Sequence, residues 1–237
     1  MPFQTRTSRG HGSARGSQLS KSFSSASFGG GGRSRSFGGG KRGPKKEYIH
    51  PSRFVKPARP AEEAVYEATN TFDNFAINEL IKQNIITKGF ITPSAIQDQA
   101  IPHGLEGRDV IGIANTGTGK TVAFGIPVLH RTIEQTASRA LIIAPTRELA
   151  QQIEQELKTI GQKSGLFGAL LIGGSAMSPQ LRDLRANPQI VIGTPGRIMD
   201  HMQRGSLDLS DFNTVVLDEV DRMLDMGFVN DVRTILG

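Results

Sequence analysis

Asp218 and Glu219, two carboxylates that follow the apolar run Thr214-Val215-Val216-Leu217, are the residue types that nucleotide hydrolysis needs. A β-branched and aliphatic run is how a buried parallel strand brings polar groups to its exposed carboxyl end. There Asp218 would hold Mg²⁺ through water, and Glu219 would orient and help deprotonate the attacking water. Well upstream, Asp109-Val110-Ile111-Gly112-Ile113-Ala114 reads as another buried strand, running into Asn115-Thr116-Gly117-Thr118-Gly119-Lys120-Thr121 and then a helix. Gly117 and Gly119 can take backbone angles closed to other residues, so the amides from Thr116 to Thr121 can turn inward around a phosphate at the helix start. Lys120 would reach the β- and γ-phosphates as a point charge, and the Thr121 hydroxyl would complete the coordination of Mg²⁺. Ala114 stands where the strict Gly-x-x-x-x-Gly-Lys-Ser/Thr pattern has its first glycine. Asp218, Glu219 and Asp221 also suit a plainer role, because acids stabilise a helix N-terminus.

Six short strings stand in order along the chain: GFITPSAIQ at 89–97, ANTGTGKT at 114–121, PTRELA at 145–150, GG at 173–174, TPGR at 194–197 and DEVD at 218–221. In this order they resemble the DEAD-box family of ATP-dependent RNA helicases. The resemblance implies a RecA-like domain that takes ATP and Mg²⁺, grips RNA and hydrolyses ATP to drive local duplex unwinding when complete. Two other readings stay open: a non-catalytic RNA-binding or annealing protein acting through a basic tail, and a helicase acting on DNA.

The resemblance assigns adenine recognition to Gln97 and Phe90, with Phe72 packed behind them to hold the motif against the phosphate loop. A glutamine amide carries a donor and an acceptor that can pair with adenine N7 and N6 together, which selects ATP over GTP. Ordinary core packing is the alternative for both aromatics. The RNA backbone falls to Pro145, Thr146 and Arg147, to Gly173 and Gly174, and to Thr194, Pro195, Gly196 and Arg197. Arginine can fork onto phosphate while hydroxyls and backbone amides donate to it, and such contacts read no bases. The bland alternative is that Pro145 and Pro195 only punctuate strand ends. Asp221 and Phe72 would couple motifs to one another.

Two departures from the family pattern matter. Val220 replaces the alanine of Asp-Glu-Ala-Asp; it removes no ligand but needs more room beside the carboxylates. The chain also stops at Gly237, before the Ser-Ala-Thr motif and the second RecA-like domain that the family supplies. The resemblance places the Ser-Ala-Thr strand between the phosphate-loop strand and the acidic strand, so its loss leaves a gap in the sheet. Weak hydrolysis by the 237 residues alone is the expectation, since arginines supplied in trans are worth roughly 10³ to 10⁵ in rate.

The elements that must position these groups alternate. Helical patterning at 78–88 and 96–102 precedes the phosphate loop, and 148–162 carries Leu149, Ile153, Leu157 and Ile160 on one face. Apolar strands are read at 140–144, 168–174, 189–193 and 214–217, and the helix after Asp221 is expected to bury Met223, Leu224, Met226 and Phe228. Such alternation implies an α/β fold with a parallel sheet, right-handed crossovers and helices on both faces. Ligands of open α/β sheets bind outside the carboxyl ends of the strands, which brings the motifs to one edge.

Residues 1–60 carry thirteen Lys/Arg and one acid, net +12, whereas 61–237 carry fifteen and twenty-one, net −6, which sums to the +6 of the chain. The basic segment is dominated by Gly and Ser and repeats Ser-Phe-Gly-Gly-Gly at 27–31 and 36–40, so it is expected to be disordered. Its Arg-Gly pairs at Arg9, Arg15 and Arg42, with Phe23, Phe28 and Phe37 between, suit loose contact with single-stranded RNA, and it also offers a surface for protein partners. The expected organisation is a tail and linker over 1–60, the GFITPSAIQ region over 70–98, and the ATP-binding domain over 101–237. Nothing in the sequence is apolar enough for a signal peptide or membrane span, and a cytoplasmic location is expected, with an organellar one kept open by the Arg- and Ser-rich start. The chain has no cysteine, and its five histidines form no cluster for zinc.

Overall fold

In a computed structural model of the chain, residues 66–237 are described; the basic tail expected over 1–60 lies outside them. Four strands, β1 (Ala140–Ile143), β2 (Gly168–Leu171), β3 (Ile190–Gly193) and β4 (Thr214–Leu217), form one parallel sheet in the order β2-β3-β1-β4. The register is regular: Ala140 stands beside Ile190 on one side and Thr214 on the other. Every residue of β1 and β3 is buried, as expected of central parallel strands covered on both faces.

The two-residue period of a strand divides these side chains between two cores. Ala140, Ile142, Ile190 and Ile192 face one side, where they meet α1 (Glu79–Thr87), α2 (Ala95–Leu105), α3 (Lys120–Glu134) and α4 (Arg147–Ile160). Leu141, Ile143, Val191 and Leu171 face the other, against residues of α6 (Pro195–Gln203), α7 (Val220–Asp225) and α8 (Val229–Leu236). Between β2 and β3 runs α5 (Met177–Arg185), whose Leu184 packs on the second core. The stripe on α4 is Ala150, Ile153, Leu157 and Ile160, all buried, and its start is capped by Thr146, whose hydroxyl accepts from the Leu149 amide at 3.2 Å. None of the helices among the described residues is long and apolar enough to cross a membrane.

Two expectations need correction. Residues 109–114, read as a buried strand, lie outside the sheet: Ile111 and Ile113 are each 95% exposed, and the segment pairs with no strand among the described residues. An apolar run becomes a buried strand only when a ladder partner and covering helices satisfy it, and β4, an edge strand of the sheet, pairs with β1 alone. The helix after Asp221 buries less than expected, since Met223 is buried and Phe228 half-buried while Leu224 and Met226 are exposed. A helix of six residues offers little more than one inward position, so the neighbours of Met223 turn to solvent.

Candidate functional site

The glycine loop at 114–121 leads into α3, which starts from Gly119 in the left-handed region at φ +86°; Gly117 is there too at +81°. Lys120 folds back so that its ammonium donates to the carbonyls of Ala114 at 2.7 Å and Asn115 at 3.0 Å, and the Thr118 hydroxyl donates to Asn115 at 2.8 Å. Asn115, Thr116 and Gly117 are exposed, and Thr121 is half-buried in the first turn of α3.

α2 clamps this loop from the side. The Ser94 hydroxyl donates to the Thr118 carbonyl at 2.7 Å, and the Gln97 amide nitrogen donates to the Gly119 carbonyl at 3.1 Å. Gln97 Oε1 accepts from the Ser94 backbone at 2.9 Å, the side-chain half of a capping box. One N–H and one lone pair of the Gln97 amide remain uncommitted by these bonds. Phe90 is half-buried, with the Lys88 ammonium 5.4 Å from its ring centre and the buried Phe72 ring 6.1 Å away; Phe72 also meets Phe75 edge-on at 6.0 Å. Phe72 is thus core, placed behind Phe90.

Asp218 and Glu219 follow β4 directly, and the Asp218 amide donates to the Ile143 carbonyl at 3.0 Å. Burial and the adjacent Glu219 push the Asp218 carboxyl up from its ordinary value, and the Lys120 ammonium opposes that shift. Glu219 is one of three non-glycine residues with positive φ among the described residues, at +52°, and it forms an ion pair with Arg222 at 3.1 Å. A bulky residue held in the left-handed region is backbone strain of the kind that collects at functional sites. The donor set fits a hard cation: a hydroxyl at Thr121 and a buried carboxylate at Asp218 that lacks an ion pair within 4 Å among the described residues. Asp221 is exposed and lies apart from these contacts, and Val220 is 39% exposed, so its extra methyl groups have open space.

A second cluster forms at the carboxyl ends of β1, β2 and β3. Pro145 and Pro195 are buried at the strand ends, and Thr146 and Thr194 are the N-caps of α4 and α6. Gly174, at φ +71°, lies under the Arg147 guanidinium so closely that a Cβ there would collide with it. Arg197 donates from Nη1 to the Ser175 carbonyl at 3.2 Å and pairs with Asp200 at 3.7 Å. Arg147, Gly174 and Gly196 are exposed and Gly173 is half-buried, so Arg147 and the glycine loop present an open surface between two helix N-termini, with the Arg197 side chain, 13% exposed, half-buried beside them. Positive helix ends beside arginines form an anion-binding surface.

Several residues of this frame escaped sequence reasoning. Asp98, next to Gln97 and only 4% exposed, accepts from Tyr66 Oη at 2.7 Å, the Thr69 amide at 2.7 Å, the Asn70 amide at 3.1 Å and the Asn70 side chain at 2.7 Å. It moors the segment that leads to Phe72, and its partners lie some thirty residues away, beyond any local pattern. Ser94 was legible, since Ser-x-x-Gln before an apolar run marks a capping box. Gln180 and His201, both buried, carried no local signal.

The model for the DEAD/DEAH box helicase family matches residues 94–237. The ATP-dependent RNA helicase CshA of Listeria monocytogenes is 49% identical over 166 residues, which is 70% of this chain and 32% of that protein. DeaD of Buchnera aphidicola, also named an ATP-dependent RNA helicase, is 47% identical over 169 residues, 70% of this chain and 28% of its own length. Among solved structures, a DEAD box protein from Methanococcus jannaschii superposes with a TM-score of 0.67 at 41% identity, covering 70% of this chain and 46% of that one. The chain spans about a third of the length of the curated relatives it matches. With its parallel RecA-like sheet and the ordered motifs at one edge, the chain belongs to the DEAD/DEAH box helicase family.

Proposed function

We propose that this chain carries the ATP-binding domain of an ATP-dependent RNA helicase. The observation that carries the reading is the convergence on one loop of three elements: Gln97 and Ser94 bonded to the carbonyls of Gly119 and Thr118, and Lys120 set against the charge of Asp218. Adenine recognition uses the Gln97 N–H and lone pair left uncommitted, with Phe90 against the base and Phe72 stiffening it from behind. Lys120 leaves the carbonyls of Ala114 and Asn115 for phosphate, which the positive-φ glycines let the loop surround.

When bound, Mg²⁺ neutralises phosphate charge and polarises the scissile bond. Thr121 and Asp218 are the residues that would hold it. Glu219 takes the proton of the attacking water, and the constrained backbone at this residue aims its carboxylate. Arg147, Arg197, Thr146, Thr194 and the amides near Gly173, Gly174 and Gly196 hold the sugar-phosphate backbone of RNA, and Asp221 couples that surface to hydrolysis. The basic segment 1–60, at net +12, adds a loose, salt-sensitive hold on RNA.

Titration of a fluorescent ATP analogue into the chain and its Lys120→Ala variant tests the reading. Affinity is expected to fall by at least tenfold, and equal affinity would remove the phosphate loop from the function.

A further inference from the structure

His201 is completely buried on α6, one turn beyond Arg197, and it faces another buried polar residue, Gln180 of α5. His201 Nε2 lies 3.3 Å from Gln180 Oε1. The Gln180 amide nitrogen donates to the Ile172 and Ala176 carbonyls, each at 3.2 Å. Those two carbonyls bracket residues 173–175, the loop on which Arg147 rests at Gly174 and Arg197 docks at Ser175.

The bonds fix one another's direction. Both N–H groups of the Gln180 amide are committed to carbonyls, which turns its oxygen toward His201; that oxygen accepts, so His201 must present Nε2–H. That leaves His201 Nδ1 as an acceptor, and the Ser206 hydroxyl, 2.9 Å from Nδ1 and 3.0 Å from the His201 carbonyl, is the donor the two acceptors share. A buried histidine and a buried glutamine each cost desolvation free energy, which a neutral network recovers only when every member is paired. Burial, followed by the charge of Arg197, holds the ring in its neutral form.

We propose that His201 and Gln180 are positioning residues for the phosphate-gripping surface: through the Ile172 and Ala176 carbonyls they lock the glycine loop in the curve that lets Arg147 and Arg197 converge. The inference rests on the RNA reading of that surface. The chain runs from ring to amide to loop, so the ring acts at a distance from the ligand and touches none of it. Sequence proximity explains none of this, since Gln180 and His201 stand on different helices twenty-one residues apart.

The test compares the full chain with His201→Phe, Gln180→Leu and His201→Gln. Phenylalanine keeps a ring without a donor, leucine removes the amide, and glutamine restores an N–H toward Gln180. Two readouts are made: backbone amide exchange at residues 173–176, and the affinity of an oligouridylate at fixed salt. Exchange is expected to quicken about tenfold in His201→Phe and Gln180→Leu, the equivalent of about 1.4 kcal/mol, with weaker oligouridylate binding and recovery of both in His201→Gln. Unchanged exchange at 173–176 in His201→Phe and Gln180→Leu overturns the proposal. Faster exchange with unaltered oligouridylate affinity retains the loop lock and overturns the RNA reading on which the positioning role rests.

Discussion

The side-chain amide of Gln97 donates to the backbone carbonyl of Gly119 at 3.1 Å, which ties the residue we assign to adenine to the loop we assign to phosphate. Gly119 has φ +86°, and a Cβ at this position would run into the same Gln97 amide nitrogen. Gly119→Ala therefore meets both a backbone and a packing penalty. The left-handed backbone alone costs roughly 1–2 kcal/mol for a residue with a Cβ. Chemical denaturation should report a loss of at least that size, and titration with an ATP analogue should report weakened binding; wild-type values in both would mean that the two residues do not act together.

Asp218→Asn is expected to stabilise the chain at neutral pH without Mg²⁺. Burial and Glu219 raise the Asp218 carboxyl above its unfolded value, so the native state binds the proton more tightly than the unfolded state. This group's contribution is fully present below the unfolded pKa and is lost as pH rises through the raised native one. Asparagine keeps the shape and removes the charge. The melting temperature should rise in EDTA, while the additional stabilisation of wild type by Mg²⁺ with ATP should disappear; a lower melting temperature in EDTA would show that the carboxylate is not held under strain.

Acid should weaken the fold through His201. Its native pKa is depressed, with burial the largest cause, then Arg197; Asp200 acts in the opposite direction and Arg204 in the same one as Arg197. The unfolded ring takes up a proton near pH 6.5 while the native ring stays neutral, so stability is full above that value and falls as pH drops below it toward the native pKa. Urea midpoints measured from pH 7.5 to 5.5 should fall more steeply for wild type than for His201→Gln. Parallel slopes would mean that this histidine titrates alike in both states.

Asp98→Ala should detach the start of the described chain. The carboxylate accepts four hydrogen bonds from Tyr66, Thr69 and Asn70, and these bonds hold its pKa down against the opposing effect of burial. Hydrogen bonds to a charged acceptor are worth about 1.5–3 kcal/mol. A stability loss on that scale is expected, together with faster proteolysis near residue 66 and weaker adenine discrimination as Phe72 loosens behind Phe90. Unaltered proteolysis would show that Phe72 and Phe75 hold the segment unaided.

Much of this protein was legible from residue order because the relevant physics is local. A glycine turn before Lys120-Thr121, the acids ending an apolar run and the helical stripe on α4 each declare themselves within one or two turns of chain. Alternation of these elements determined the parallel α/β fold. Tertiary structure alone decided what depends on partners remote in sequence. Residues 109–114 have a strand's composition, yet Ile111 and Ile113 are exposed because burial requires a neighbouring strand that the run cannot specify. Asp98 became a mooring, and His201 and Gln180 a lock, only because folding brought buried polar groups within hydrogen-bond reach across distant segments. Propensity and periodicity describe a chain's own backbone, whereas the pairing of a buried polar group is set by what packs against it.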